Sequence, residues 1–277
     1  MNTQFYLEQL THTDQRRRAE AARWLGNTAD AAVIPALISA VHDHDGKVQY
    51  AAFSALLKLG MQEAASGMFN ALLTMKTTNL WNLMKLNIGM RLRAGLLEMV
   101  QRGDTELSAR LFAAVQDAEF DELQRAYFVA ALGRTGDAQH VDWLLATLTD
   151  GPDAVRAAAA EALGHMGDAR AVGPLLDALR HPDAHNAIRE VAAEALGRIG
   201  DKSAAEPLMT ALMDPNEWVR RAAAVSLGDL GDASAVESLS QAIYDESTMV
   251  QDAAFDALKK LSYTSYTAVV RNTVSKN

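Results

Sequence analysis

The strongest constraint on this chain is a phrase repeated three times between residues 150 and 232. It reads DGPDAVRAAAAEALGHMGDARAVGPLLDAL, then HPDAHNAIREVAAEALGRIGDKSAAEPLMTAL, then DPNEWVRRAAAVSLGDLGDASAVESLSQAI. A period near 31 residues, with two short apolar helices per unit, specifies a helical repeat array. Such an array grows by stacking, so its length does not translate into a count of compact domains.

Each unit can be marked by the residue that ends its second helix, usually the glycine of an Ala-Leu-Gly triplet. These residues are Gly26, Leu57, Val100, Gly133, Gly164, Gly197, Gly228 and Lys259. Their spacings of 31, 43, 33, 31, 33, 31 and 31 imply eight helical pairs with one outlier. First helices such as 171–179 carry Val172, Leu175, Leu176 and Leu179 at helical spacing, giving one apolar face. Pro35, Pro174 and Pro207 fall in the opening turn, where the missing N–H costs little. Second helices such as 155–163 pack through Val155, Ala159, Ala160 and Leu163.

Gly60, Gly103, Gly136, Gly167, Gly200 and Gly231 stand three residues past the marker. There they suit a left-handed helix C-terminus, and the Asp that often follows suits the next N-cap. One pair cannot cover its own apolar faces, so neighbours must stack. The expected fold is an all-α solenoid occupying residues 1–277 as a single array.

A charged series runs through the same units. Arg18, Arg125, Arg156, Arg189 and Arg220 occupy one position of the second helix, replaced by Gln49 and Gln251 in the second and eighth units. Asp43, Asp150, Asp183, Asp214 and Asp245, with Glu119 in the fourth unit, lie six residues before that position. The series reads either as a row of ligand-binding charges or as a structural ladder. The ladder is expected, with acids capping turns and pairing with arginines of stacked units.

The phrase DP-x-x-x-VR-x-x-AA-x-ALG-x-x-GD-x-x-AV-x-PLL-x-AL resembles HEAT repeats, in particular the HEAT-like repeats typified by phycobilin lyase subunits. Residues 121–261 follow it well, 15–60 moderately and 61–120 poorly. The resemblance implies that the Val-Arg helices line a concave surface and the Pro-containing helices lie outside. It also implies a possible second function, as a phycobilin lyase subunit or related bilin-handling protein.

The departures from the phrase are where function is expected. The third unit, 61–104, is degenerate, and about 12 extra residues fall within 75–93. There Leu80, Trp81, Leu83, Met84, Leu86, Ile88 and Met90 are apolar almost all round. Six of the eleven methionines lie between Met61 and Met99. Methionine adapts to irregular gaps and to varied partners alike, so the insertion reads as a buried longer helix or as a partner surface. The stretch 262–277, with Tyr263 and Tyr266, breaks the phrase and is expected to cap or fray.

Positions offset from the packed face of the second helices should point into the groove. They are Tyr50, Lys58, Arg93, Leu97, Tyr127, Arg134, Glu161, His165, Val191, Glu194 and Arg198. Both charges and two tyrosines suit a protein surface better than DNA. Trp143 is expected to be buried, whereas Trp218 is assigned either to packing or to the partner surface.

Composition narrows the chemistry. The net charge of −9 argues against a phosphate-backbone partner. The absence of cysteine removes disulfides, thiolate nucleophiles and zinc-thiolate sites, and fits a reducing compartment. No run of 18 apolar residues occurs and the N-terminus lacks a signal-peptide pattern, so a cytoplasmic protein without membrane insertion is expected.

His42 and His44 sit in a turn with Asp43 and Asp45, and His181 and His185 flank another. HEAT-like hydroxylases that modify lysine derivatives bind two irons through His-Glu pairs, and no histidine here precedes a glutamate. Neither a phosphate-binding glycine loop nor a nucleophile–base motif is present. No catalytic residue, metal or cofactor is assigned. The expected function is a non-catalytic protein-binding scaffold, adaptor or assembly chaperone. It would use Tyr50, Leu80, Trp81, Met84, Arg93, Leu97, Tyr127, Arg134, Glu161, His165, Glu194, Arg198 and Trp218. The expected partner is another protein, with the resemblance pointing to a phycobiliprotein or a second HEAT-repeat subunit.

Overall fold

The computed structural model describes residues 3–60, 62–74, 97, 100, 102–181 and 184–274, with the backbone alone for 62, 63, 65, 66, 74 and 263–274. Among them are 15 α-helices and no strand, so the chain is an all-α solenoid. Its contacts divide it into two units, 1–121 and 122–277.

The first unit begins with the pair α1 (Thr3–Gln9) and α2 (Gln15–Leu25), followed by α3 (Ile34–Val41) and α4 (Gly46–Leu59). Then come α5 (Gln62–Thr74) and α6 (Thr105–Gln116). Most of the apolar insertion at 75–93, with Leu80, Trp81, Met84 and Arg93, lies outside the described residues.

The second unit opens on α7 (Glu122–Thr135). Two pairs follow, α8 (Val141–Asp150) with α9 (Asp153–Met166) and α10 (Val172–Arg180) with α11 (Asn186–Ile199). The last two are α12 (Ala205–Ala211) with α13 (Glu217–Leu230) and α14 (Val236–Ala242) with α15 (Thr248–Val274).

Helix boundaries follow the punctuation of the sequence. Asp14, Asp45 and Asn216 accept backbone N–H bonds from the first turns of α2, α4 and α13. The six glycines past the second helices all have positive φ, between 62° and 90°. Asp137, Asp168, Asp201 and Asp232 cap one turn of 3₁₀ helix before each first helix. In the eighth pair Ser262 occupies the terminating glycine's position, and the helix runs on to Val274. The break expected at 262 is therefore a break in the repeat phrase but not in the backbone helix.

The marker glycines do not end the helices from the fourth pair onward. Gly133, Gly164, Gly197 and Gly228 lie inside α7, α9, α11 and α13, which continue for two more residues. Their role is close approach. A methyl group added at Gly133 would stand 2.2 Å from the Ala162 Cα, and one at Gly228 would stand 2.8 Å from the Ala257 Cα. Gly164 meets Ala195 and Gly197 meets Ser226 in the same way. Ser226 uses the proximity to donate a 2.9 Å bond to the Ala193 carbonyl. Each glycine therefore receives the small residue of the next Ala-Leu-Gly triplet, which outweighs its cost in helix propensity. In the first unit Gly26 meets Ala55.

The ladder is the second contact between repeats. Arg18 grips Asp43 through two bonds of 2.7 and 2.9 Å. Arg189 holds Asp214 at 2.9 and 3.0 Å, and Arg220 holds Asp245 at 2.8 and 2.9 Å. The acids also cap their own turns, accepting from the N–H groups of Asp45, Asn216 and Ser247. Gln49 and Gln251 keep only the inward half of this arrangement, donating to the carbonyls of Asp43 and Asp245 as Arg220 does to that of Asp214.

One expected rung is missing, because Asp150 lies in the last turn of α8 and is exposed rather than in a capping turn facing Arg125. Asp183 lies outside the described residues; Arg156 donates to the Leu148 carbonyl at 2.9 Å.

Candidate protein-binding face

The two contacts consume one side of each second helix and leave another free. In the second unit the second helices pack side by side through Gly, Ala and Ser, whereas the first helices approach one another less closely. Clefts open between first helices as a result. One of about 420 Å³ is lined by Leu148, Pro174 and His181, and one of about 460 Å³ by Leu179, Pro207 and Met213. A similar cleft of about 560 Å³ lies in the first unit between α1 and α3, over Arg18 and Asp43. Because these clefts recur wherever first helices splay, they are products of stacking.

On the second helices the residues five and nine places after the arginine position form two columns. The first column holds Glu161, Glu194, Val225 and Asp256, and the second holds Arg134, His165, Arg198, Asp229 and Lys260. Glu161, His165, Glu194 and Arg134 are half-buried, and Arg198 is exposed. His165 Nε2 stands 3.6 Å from Glu161 Oε1, and Arg198 Nη2 stands 3.4 Å from Glu194 Oε2, each one helical turn apart.

His165 holds the Glu161 carboxyl below the usual range, against the opposing effect of burial and with help from Arg134 and Arg198 in the flanking repeats. Glu190, one turn before Glu194, is pushed up by burial and by Glu194. Lys260 crosses to Asp229 on the preceding helix at 2.6 Å. A groove of about 480 Å³ beside this bridge is lined by Val225, Ala253, Asp256, Ala257, Lys259 and Lys260. The face thus carries Arg134 on α7, an acid paired with a base on each of α9 and α11, Asp229 on α13, and Asp256 with Lys260 on α15.

The structure sorts the expected site residues into groups. Arg134, Glu161, His165, Glu194 and Arg198 are brought together on this face. Val191 is half-buried on α11. Tyr127 is a correction, since it is only 2% exposed and sits in the core beside Phe128 at 6.1 Å between ring centroids. Its offset from the packed face is too small to clear the neighbouring helices. Tyr50 is half-buried on α4, where Lys58 donates to Asn27 across the repeat boundary. Leu97 is half-buried.

Trp218 is 46% exposed but lies in the first turn of α13, outside the two columns. Trp143 is half-buried on α8. Sequence reasoning missed Glu190, Asp229 and Lys260, although the 31-residue register from the assigned Arg198 leads to Asp229 and then to Lys260.

His44 has an 83% exposed side chain and meets Asp43 at 3.5 Å. Among the described residues no group of three or more His, Asp or Glu side chains could hold a metal ion. Among the same residues no helix is long and apolar enough to cross a membrane.

The model for HEAT repeats matches residues 3–76, 108–186 and 174–259, well over half the chain. The chain belongs to the HEAT-repeat family. The unmatched stretch 77–107 contains most of the apolar insertion. A search of curated proteins finds no match.

Among solved structures, this HEAT-repeat chain is similar to human deoxyhypusine hydroxylase in complex with glycerol, at 20% identity and a TM-score of 0.42, covering 82% of this chain and 84% of that one. It is also similar to the complex of CpcE and CpcF of phycocyanin lyase from Nostoc sp. PCC7120, at 20% identity and a TM-score of 0.39, covering 94% and 95%. Computationally designed armadillo repeat proteins for modular peptide recognition match at 16% identity and a TM-score of 0.36, covering 94% and 99%.

Proposed function

We propose that this HEAT-repeat protein is a non-catalytic scaffold, adaptor or assembly chaperone that holds another protein against the second-helix face of residues 122–261. The observation that supports this reading is a face of acids and bases on five adjacent helices, half-buried at Arg134, Glu161, His165 and Glu194 and exposed at Arg198, Asp229 and Lys260, on the side that repeat stacking leaves free. Half-buried charges paired along one helix are already partly desolvated. A partner offering complementary charges therefore gains selectivity at modest further cost. The net charge of −9 favours a protein partner with basic patches over a nucleic acid. The apolar stretch 75–93 would supply a second contact through Leu80, Trp81 and Met84.

The test is to capture partners from the source cell with the tagged chain, then map cross-links by mass spectrometry. Cross-links from Lys259 and Lys260, and loss of capture by Glu161→Lys with Glu194→Lys, are the expected results. Undiminished capture by that variant, or cross-links confined to the first helices, would overturn the assignment.

The repeat phrase in 121–261 supports one other reading, a phycobilin lyase subunit or related bilin-handling protein whose partner is a phycobiliprotein or a second HEAT-repeat subunit. Mixing the protein with phycocyanobilin decides it. A shifted visible band supports bilin handling, and an unchanged band removes it.

A further inference from the structure

Trp218 stands at the opposite end of α13 from Asp229, on an edge that one guanidinium assembles. Arg220, only 6% exposed, donates to the Asp214 and Pro215 carbonyls at 2.9 and 3.3 Å. It also donates to the Asp245 carboxylate at 2.8 and 2.9 Å and to that of Glu246 at 3.2 Å. The turn before α13 and the turn before α15 are therefore braced against a single side chain, and Arg189 grips Asp214 as well. Asn216 fixes the start of α13, accepting from the Trp218 and Val219 N–H groups at 3.0 and 3.3 Å.

These braced turns hold out large apolar side chains. Met213 is 86% exposed, Tyr244 84% and Trp218 46%. Stacking does not require them. Seven places before the arginine position, where Met213 and Tyr244 stand, other units carry Thr11, His42, Ala118, Thr149 and Pro182. Two places before it, where Trp218 stands, they carry Arg16, Lys47, Leu123, Ala154, Ala187 and Met249. Among these units only the seventh and eighth fill both places with large apolar residues.

The charge of the edge has one sign. Residues 213–218 and 244–247 include Asp214, Glu217, Asp245 and Glu246 and no Lys, Arg or His. Arg220 offsets one of these acids from inside. Glu217 and Glu246 are exposed, the Glu246 side chain to 85%. The cleft that Met213 borders adds Glu206 and Arg180, one charge of each sign.

We propose that this edge is a second docking site, separate from the face that carries Glu161 and Glu194, and that it takes a Lys- or Arg-bearing segment of another protein. A cation placed over an indole or phenol ring is attracted by the ring's negative face. Its aliphatic stem has the Met213 thioether to lie against, and Glu217 and Glu246 supply charge-assisted bonds for its head. Because hydrogen bonds already hold both turns, docking orders little backbone. A second copy of the chain, with its net charge of −9, is a poor occupant for an acidic edge.

The probe is acetylated, amidated penta-arginine at physiological ionic strength. Its binding is read from the Trp218 indole N–H resonance, which Trp218→Phe identifies. A saturable shift is expected, with affinity lower by about fivefold or more in Glu217→Gln with Glu246→Gln and in Met213→Ser with Tyr244→Ala. Both pairs alter exposed residues, so helix content should match the wild type. Glu161→Gln with Glu194→Gln should leave this affinity within about twofold, since the two sites share no side chain. A larger loss in that variant would assign the peptide to the second-helix face and overturn the proposal. So would an unmoved indole resonance, an equal shift from penta-glutamate, or wild-type affinity in either edge variant. A wild-type dimer in sedimentation that Trp218→Ala with Tyr244→Ala abolishes would overturn it in favour of a second copy. The second-helix face stands or falls separately, on capture by the Glu161→Lys, Glu194→Lys variant.

Discussion

The junction between α13 and α15 and the junction that follows α4 are built from the same positions with opposite contents. In the former, Arg220 grips Asp245 and Gly228 receives Ala257, so a charged clamp and a close backbone approach act together. In the latter, Gln49 and Leu57 occupy those positions and neither contact can form. Gln49 still ties its helix to its own turn. The difference teaches that the two contacts are separable from the repeat itself. A unit can fold as a helical pair without being locked to the next one.

Adding bulk at the tight junction should have the largest effect. Gly133→Leu forces a side chain into the Ala162 backbone, and a loss of about 3 kcal/mol or more in urea unfolding is expected. Leu57→Gly, the opposite change at the loose junction, should cost about 1 kcal/mol for the mid-helix glycine and about 1 kcal/mol more for the half-buried side chain, less than the tight junction loses. A comparable loss at both sites would erase the distinction.

Arg220→Gln, which copies the loose junction into the tight one, leaves the half-buried Asp245 without its guanidinium and should cost about 2 kcal/mol. Gln49→Arg has no acid 25 residues on, where Thr74 stands, and should gain nothing measurable by the same assay.

The clamps also give the acid limb of stability a direction. Arg220 holds Asp245 below the usual carboxylate range against the effect of burial. Burial pushes Asp43 up, but Arg18 and the Asp45 N–H outweigh it and the net shift is downward. A carboxylate depressed in the folded state contributes stability above its unfolded pKa of about 4, lost as pH falls through the folded value. Urea midpoints measured downward from pH 5 should therefore drop in the wild type and drop less steeply in Arg220→Gln, which keeps the Arg18–Asp43 clamp. Parallel pH profiles would mean that the clamp is not the titrating element.

The smallest effect on stability is expected from Trp218→Ala. The residue is exposed in the first turn of α13, so a change within about 0.5 kcal/mol should accompany any loss of partner capture.

The repeat, its glycine terminators and the arginine ladder were legible because each is a periodic residue type with a specific backbone or charge requirement. The marker glycines were misread as helix ends. A glycine inside a helix looks like a terminator until the neighbouring repeat's alanine is placed against it. Asp150 matches Asp214 in sequence position, yet α8 runs three residues further than α12 and takes Asp150 out of the ladder, a boundary shift that periodicity does not encode. Tyr127 was assigned to the groove by offset alone, which cannot weigh a large ring against close helix packing. Of the binding face, the pairs Glu161–His165 and Glu194–Arg198 were legible from spacing, whereas the crossing bridge Asp229–Lys260 needed two helices side by side.

Hydrogen exchange of the isolated protein, resolved helix by helix, tests most directly the claim that paired contacts lock one repeat to the next. The amides of α11, α13 and α15 are expected to open together, at the highest free energy in the chain, and those of α5 independently and earlier. Protection of α5 equal to that of α13, or separate opening of α13 and α15, would contradict the account.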